Sequence, residues 1–195
     1  MTTKLKLFNK ILIKLGSETI TEITDESKTV RVINEIYDDI VKEELQKHNW
    51  IFANKRATLT GTEVEGRFKY CFDLPFDCLL LLKIDGFNAL STYPYQYGAF
   101  KQYDVAGRKI YSNKNKIDIS YTSAVEENVF DFNFTNAVCS RICYELAEVL
   151  TQDDQKKQTW MNEYFIAIKD AKRVNAIQLP NAALGSGVLE RARVW

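Results

Sequence analysis

The sequence predicts an α+β fold, made of an antiparallel helical bundle, an antiparallel β-module inserted between helices 2 and 3, and an extended C-terminal arm. Apolar residues recur at helical spacing in the first and last thirds of the chain, whereas they alternate with polar residues in the middle third. We therefore expect N-terminal helices of the bundle (1–56), the β-module (57–125), C-terminal helices of the bundle (126–179) and the arm (180–195).

The N-terminal part predicts two amphipathic helices. The first ends at Gly16, a residue typical of helix C-termini, and its apolar stripe consists of Phe8, Ile11, Leu12 and Leu15. A polar loop follows, in which Asp25 or Ser27 can cap a longer second helix. That helix ends near His48, and its apolar stripe consists of Val30, Ile33, Ile36, Tyr37, Ile40, Val41 and Leu45.

The middle third predicts short antiparallel strands. Residues 68–73 alternate apolar and polar side chains, as a half-buried strand does. The apolar run 79–84 predicts a strand that is buried on both faces. Residues 103–112 predict two strands about an Ala-Gly turn, and residues 117–121 predict one more. Tyrosines alternate around a proline in residues 93–97, which favours an edge strand or a loop.

Helical spacing returns after Phe130 and predicts two further helices, separated by a break at 151–154. The stripe of the first consists of Val138, Ile142, Leu146 and Val149. The stripe of the second consists of Trp160, Tyr164, Ile168, Ala171 and Val174. Pro180 closes the helical part, and the glycine-containing stretch after it predicts a flexible arm.

The chain is electrically neutral, with 26 Lys and Arg residues against 26 Asp and Glu residues in a length of 195. Neutrality argues against a chain-wide basic surface for nucleic acid, and it weakens the repulsion that keeps monomers apart. An aromatic content of 12% suits buried interfaces as well as cores. No run approaches the roughly 18 apolar residues of a membrane helix, and lysines interrupt the apolar N-terminus, so we expect no membrane anchor and no signal peptide.

The residue types of common active sites are scarce. His48 is the only histidine, and we expect it to favour the dipole at the helix C-terminus or to hydrogen-bond a carbonyl there. The cysteines lack the paired spacing of zinc knuckles and are typical of reduced, small apolar core residues; they are Cys71, Cys78, Cys139 and Cys143. No phosphate-binding loop or nucleophile elbow is present. The sequence therefore predicts no catalytic, no cofactor-binding and no metal-binding residues.

Two stretches carry residue types that suit contacts with other proteins. Residues 181–195 are too apolar for a solvated tail and contain Trp and Arg, which dominate protein interfaces. We expect this arm to bind a partner or a neighbouring subunit, and the alternative is that it folds back onto its own bundle. Its candidate residues are Leu184, Val188, Leu189, Arg191, Arg193, Val194 and Trp195. The second candidate interface consists of Tyr93, Tyr95, Tyr97, Phe100 and Tyr103.

Motifs spread over most of the chain match one family in order and spacing. Asn9–Leu12 with Leu15-Gly16 is similar to an opening N-x-I-L-x-x-[IL]-G helix. Residues 50–59 resemble the stretch W-x-F-A-x-x-R-x-x-L, and residues 68–77 are similar to a Y-x-Y-x-L-P-x-D strand and turn. The remaining matches are the hairpin within 103–121, the helical pair Leu146-Ala147 and the closing arm at 186–193. Together they resemble the tail tubular protein A family, the head-to-tail adaptors of short-tailed bacteriophages.

This resemblance implies a structural virion protein rather than an enzyme. The family resemblance implies a ring of twelve copies between the portal protein and the downstream tail or nozzle protein. On this view the helical bundle builds the ring, the C-terminal arm docks on the portal, and the β-module meets the next tail layer. Double-stranded DNA passes through the lumen without sequence specificity. The expected location is the portal vertex of the virion, after synthesis in the host bacterial cytoplasm.

Two other functions stay open as alternatives. Adjacent carboxylates, such as Asp38-Asp39 and Glu43-Glu44, leave room for a tail-associated peptidoglycan-cleaving glycosidase, although neighbours in sequence point apart and are typical of solvated surfaces. A series of N-terminal lysines leaves room for a small DNA-binding regulator, although a solvated amphipathic face is the preferred interpretation. That series consists of Lys4, Lys6, Lys10 and Lys14.

Overall fold

The computed structural model describes residues 2–25, 27–89, 103–151 and 154–178 of the chain. Within them the protein is a mixed helix and sheet structure with four α-helices and two antiparallel sheets, as the predicted α+β class requires. None of the helices in these ranges is both long and apolar enough to cross a membrane.

The two N-terminal helices form where the capping residues and apolar stripes predict them. Helix α1 spans Lys4–Leu15 and ends at Gly16, whose φ of 73° is the left-handed conformation that glycine adopts without strain. Helix α2 spans Lys28–Gln46. Its cap is Ser27, whose hydroxyl accepts a hydrogen bond from the Val30 amide at 3.4 Å. Both predicted helices are therefore confirmed.

Among the described residues, eight strands form two four-stranded antiparallel sheets. In the first sheet the order is β1-β8-β4-β5, and in the second it is β2-β3-β7-β6. The strands in chain order are β1 (Asn54–Thr60), β2 (Thr62–Glu63), β3 (Tyr70–Asp73), β4 (Cys78–Ile84), β5 (Phe87–Asn88), β6 (Tyr103–Ala106), β7 (Lys109–Ser112) and β8 (Lys116–Ser123). Two short 3₁₀ helices, Ile51–Ala53 and Glu127–Val129, connect the sheets to the helices.

The predicted strands at 79–84, 103–112 and 117–121 are confirmed, whereas β1, β2 and β5 were not predicted. The prediction that 79–84 is buried on both faces is wrong, because Lys83 is exposed and the leucines between its buried positions are only half-buried. The strand predicted at 68–73 begins at Tyr70, and Cys71 is buried beside Phe72 rather than facing solvent.

The last two helices enclose the helical core together with the first two. Helix α3 spans Phe132–Thr151 and helix α4 spans Asp154–Gln178. Buried side chains from all four helices form one apolar cluster, which also contains Trp50 and Ala53 from the segment that leads into β1. A second cluster fills the space between the sheets and consists of Phe72, Cys78, Leu81, Ile84, Ile110, Ile117, Ile119 and Tyr121.

A buried asparagine joins α4 to the segment between α2 and β1. The side-chain oxygen of Asn175 accepts the Ile51 N–H at 2.9 Å, and its amide donates to the Asn49 carbonyl at 2.8 Å. The Ile51 N–H belongs to the first residue of the 3₁₀ helix, where a helix offers it no acceptor, and Asn49 precedes that helix, so the Asn175 side chain supplies partners that the secondary structure does not. Asn175 thereby fixes how the helices meet the first sheet.

Replacing Asn175 with alanine is expected to lower the free energy of unfolding by about 2 kcal/mol, because it leaves a backbone donor and a backbone acceptor without partners. Urea denaturation followed by circular dichroism measures the change. The matched control is Asn128→Ala, since Asn128 is exposed and its amide bonds only the Glu126 side chain. Equal losses in the two variants would contradict a special role for Asn175.

Candidate interaction surfaces

Most of the residues predicted to contact partners lie outside the described residues. These are the seven arm residues Leu184, Val188, Leu189, Arg191, Arg193, Val194 and Trp195, together with Tyr93, Tyr95, Tyr97 and Phe100. Tyr103 is described and lies in β6, where it is half-buried against the apolar cluster between the sheets. Its hydroxyl donates to the Asn88 carbonyl at 3.2 Å, so the side chain also has a structural role within the sheets.

Three of the four lysines of α1 do not form the predicted solvated face, whereas Lys6 is exposed as predicted. Lys4 pairs with Asp38 of α2 at 3.1 Å, Lys10 bonds Asn136 of α3, and Lys14 pairs with Glu163 of α4 at 2.5 Å. Their long side chains reach across the helix interfaces and leave these three lysines half-buried. Because their charges are engaged within the protein, the structure gives little support to a DNA-binding surface on α1.

In the described part of the chain, three carboxyl groups have pKa values below the ordinary range, which favours their ionised form. The hydrogen bond from Lys47 lowers the pKa of Glu43, and the hydrogen bond from Lys55 lowers the pKa of Asp77. Burial opposes ionisation of Asp85, but hydrogen bonds from Lys114 and from a backbone amide still lower its pKa. A glycosidase requires a general acid whose pKa is raised, so these three groups do not suit that role.

The four cysteines are free and buried. Burial raises the pKa of Cys139 to about 11 and the pKa of Cys143 to about 12, which keeps both as neutral thiols. Their surroundings agree with the predicted role of small apolar core residues. Within the described ranges no group of three or more His, Cys, Asp or Glu side chains gathers closely enough to hold a metal ion.

His48 packs against aromatic and amide groups near the end of α2. Its ring meets Trp50 edge-on with centroids 4.9 Å apart, and its Nε2 atom lies 3.2 Å from the Asn175 amide nitrogen. Burial lowers the pKa of the ring, and the positive charge of Lys172 lowers it further. The polar partner of the His48 ring is thus the Asn175 side-chain amide, whereas a carbonyl was expected. The lowered pKa favours the neutral ring, so His48 does not suit the expected role of a cation that stabilises the helix dipole.

A buried carboxylate lies where α2, α3 and α4 meet. Glu44 is 0% exposed; its Oε1 atom accepts a hydrogen bond from the Tyr164 hydroxyl at 2.9 Å and pairs with Lys47 at 2.8 Å. The Arg141 guanidinium lies 3.8 Å from the same oxygen and also pairs with Glu43 and Glu145. This charged cluster links α2, α3 and α4, and sequence patterning did not identify it. The cluster has no access to solvent at Glu44, so it is a structural rather than a substrate-binding group.

The turn between β3 and β4 presents an aromatic side chain to solvent. Phe76 is 96% exposed, the largest exposed fraction among the exposed large apolar residues of the described ranges. Two side chains, those of Arg108 and Asp77, fix the backbone of the turn through hydrogen bonds. The Arg108 guanidinium donates to the carbonyls of Pro75 at 2.6 Å, Phe76 at 3.3 Å and Cys78 at 3.3 Å. Because these bonds fix the backbone, Phe76 is exposed on a rigid support.

The Asp77 carboxylate provides the second support of this turn. It accepts hydrogen bonds from Lys55 at 2.7 Å and from the Tyr121 hydroxyl at 3.2 Å, which tie the turn to β1 and β8. In the sequence, Phe76 is one position of the strand-and-turn motif at 68–77 and no separate role was predicted for it. The available signal was an aromatic residue placed directly after proline in a turn, where it has no strand neighbour to pack against.

Asp77→Asn is expected to reduce stability near neutral pH by more than it does in acid. Because the pKa of Asp77 is lowered in the folded state, its stabilisation is complete above the ordinary value of 3.8 and is lost as the pH falls through the lower folded value. Urea denaturation at pH 7, 5, 4 and 3 tests this. Lys55→Met serves as a companion variant with the same pH pattern, and a difference that grows as the pH falls would contradict the assignment.

A groove with an apolar floor and an acidic rim runs between α2 and α3. It has a volume of about 410 Å³ and is lined by Val32, Ile36, Ile40 and Leu146 on the floor and by Glu35, Asp39, Glu43 and Glu145 on the rim. Glu43 and Glu145 are paired with Arg141. Glu35 and Asp39 form no ion pair with any residue in the described ranges, and as like charges four residues apart on one helix they repel each other by up to about 0.5 kcal/mol.

Further apolar side chains are exposed on the helices and at the sheet end. On α1, α3 and α4 these are Ile13, Phe132, Phe165, Ile166 and Ile177. Beyond Phe76, the sheet part exposes Phe87 and Val105. Exposed apolar side chains are common singly on monomers, and a contact with another chain requires that several of them form one contiguous patch.

Comparison with known proteins adds no relative to these observations. Neither the family models nor the curated proteins contain a match to this chain.

Proposed function

We propose that the protein is a structural virion component: a head-to-tail adaptor that forms a ring between the portal and the tail of a short-tailed bacteriophage. The observation that carries the proposal is the order and spacing of motifs along most of the chain. The most characteristic of them, residues 50–59, covers Trp50, Ala53 and strand β1, which connect the helical core to the first sheet. The likeness therefore includes residues on which the fold depends.

In the proposed ring of twelve copies, an antiparallel helical bundle forms the ring body, and the β-module inserted between α2 and α3 projects towards the next tail layer. In this arrangement neighbouring copies would cover exposed apolar residues of α1, α3 and α4. The tail-layer contact is assigned to the stretch from Tyr93 to Tyr103. The portal contact is assigned to the arm residues from Leu184 to Trp195, which carry the Trp and Arg side chains of strong interfaces.

The ring's lumen would conduct double-stranded DNA without reading its sequence. Zero net charge supports this role, because a wall without excess cations does not retain phosphates by counterion release. The ion pairs of Lys4 with Asp38 and of Lys14 with Glu163 also support a lumen that does not retain DNA, since acidic groups of the same chain neutralise these two lysines. The protein would be made in the host bacterial cytoplasm and would function at the portal vertex of the virion.

Electron microscopy of the purified chain mixed with its portal tests the proposal. We expect an additional ring of density beneath the portal, and no such ring with a variant that ends at Pro180 although it keeps the circular dichroism spectrum of a folded protein. A portal that gains no density from the full chain would refute the adaptor function. Density added equally by the shortened variant would refute only the role of the arm.

A further inference from the structure

The Phe76 turn has the features of a protein–protein anchor. Its side chain is 96% exposed, while Arg108 and Asp77 fix the backbone beneath it through bonds to three carbonyls and to Lys55 and Tyr121. An anchor on a rigid support loses little conformational entropy when it binds, so most of the burial of its ring contributes to affinity. Aromatic anchors that enter a pocket dominate the binding energy of many interfaces.

The charge around the anchor is positive. Lys55, Arg108 and Lys109 lie beside it, whereas two carboxylates, those of Asp73 and Asp77, are close by and pair with the lysines. Arg108 uses its donors on carbonyl oxygens and forms no ion pair with a carboxylate of the described ranges. The anchor therefore consists of a benzyl group on a turn with one uncompensated positive charge.

The groove between α2 and α3 has the complementary properties. Its floor is apolar, its volume is about 410 Å³, and its rim carries the carboxylates of Glu35 and Asp39, which form no ion pair within the described ranges. The chain's own anchor does not occupy it, since Phe76 is almost fully exposed. Gln46, at the end of α2, donates a hydrogen bond to the Leu79 carbonyl of β4. Ile36, on the groove floor, lies about 15 Å along the helix axis from that contact with the sheet.

We propose that Phe76 of one copy of this chain inserts into the α2–α3 groove of the next copy. The occupant is assigned to a second copy because the anchor and the groove match in both apolar character and charge, and the same chain carries both. A contact between two different surfaces of identical chains leaves an anchor free at one end of the assembly and a groove free at the other, so it continues from copy to copy and closes as a ring when the rotation allows. The proposal rests on the proposed adaptor ring for its biological setting.

Complementation of two defective variants tests this contact in solution. Phe76→Ser removes the anchor, and the double variant Glu35→Arg with Asp39→Arg reverses the charge of the groove rim; all three positions are exposed, so both proteins should fold. Loss of the benzyl group is expected to weaken self-association by about 10- to 100-fold. Sedimentation velocity should show wild-type species larger than a dimer and each variant alone as a monomer.

An equimolar mixture of the two variants should form a one-to-one dimer, because one intact anchor then meets one intact groove. The controls are Phe87→Ser, which removes another exposed phenylalanine, and Glu63→Arg with Glu65→Arg, which makes the same charge change outside the groove. Both controls should associate as the wild type does. A wild-type chain that stays monomeric, a mixture that stays monomeric, or a Phe76→Ser protein that associates normally would each overturn the proposal.

The outcomes also separate this contact from the adaptor function. Rings on the portal that form normally with Phe76→Ser would leave the adaptor function in place and overturn the contact. Complementation in solution together with no density added to the portal would leave the contact in place and refute the adaptor function.

Discussion

Glu44→Ala is expected to lower the free energy of unfolding by about 3–5 kcal/mol, the usual effect of removing one partner from a buried charged cluster. Glu44 is 0% exposed and accepts the hydroxyl of Tyr164 and the ammonium of Lys47. Without it, the partly buried Arg141 loses one of its carboxylate neighbours and the tyrosine hydroxyl loses its acceptor. Urea denaturation at pH 7 measures the change.

The neighbouring residue provides a matched control for this variant. The Glu43 side chain is 49% exposed, and it pairs with Lys47 and Arg141 in contact with solvent. Glu43→Ala is expected to cost about 0–1 kcal/mol, as exposed ion pairs do. The same chemical change one residue apart thus distinguishes burial from charge. Similar losses of unfolding free energy in Glu44→Ala and Glu43→Ala would show that burial of the Glu44 carboxylate does not increase its contribution to stability.

Trp50→Ala is expected to lower the free energy of unfolding by about 3–5 kcal/mol through the cavity that it leaves. Trp50 is 1% exposed, packs edge-on against Phe134 with ring centroids 4.9 Å apart, and donates its indole N–H to the Glu44 carbonyl at 2.8 Å. The substitution removes a large apolar side chain and also leaves a buried carbonyl without its donor.

Two controls separate these contributions. Trp50→Phe keeps most of the ring contacts and loses the indole donor, so it should cost less than the alanine variant. Phe76→Ala removes an aromatic ring that is 96% exposed and should leave the free energy of unfolding nearly unchanged. Thermal unfolding followed by circular dichroism compares all three variants. A loss at Phe76 as large as that at Trp50 would contradict the assignment of the core.

The helices could be predicted because their signals are local. Ser27 caps α2 and Gly16 ends α1 through interactions within a few residues, and each apolar stripe is visible in the sequence alone. Strand β1 could not be predicted in this way, since most of its residues are polar. It is a strand because all seven of its residues pair with β8, from Asn54 opposite Thr122 to Thr60 opposite Lys116. That pairing joins segments far apart in the sequence.

The polar residues of the core illustrate a second limit of sequence patterns. Glu43 and Glu44 are identical in type and adjacent, yet only the second faces the core, where Tyr164 and Lys47 bond it. Asn175 lies in the apolar stripe region of α4 and was not singled out, because its role depends on Asn49 and Ile51, more than 120 residues earlier. For the candidate surfaces, the aromatic content of the chain suggested interfaces but did not say which ring is exposed. The backbone around Phe76 is held by Arg108, which lies over 30 positions later in the sequence, so this surface could not be predicted from local patterns.

The polar contacts of α1 have a consequence for synthesis on the ribosome. Lys10 bonds a residue 126 positions later and Lys14 bonds one 149 positions later, so the first helix emerges long before its partners exist. At about 5–20 residues per second, α1 waits roughly 6–25 s for Asn136. During that interval the apolar stripes of α1 and α2 lack α3 and α4 and have only each other and the β-module to contact. Docking of the last two helices is therefore expected to complete the native core late, which makes the nascent chain most dependent on chaperones before α3 is synthesised.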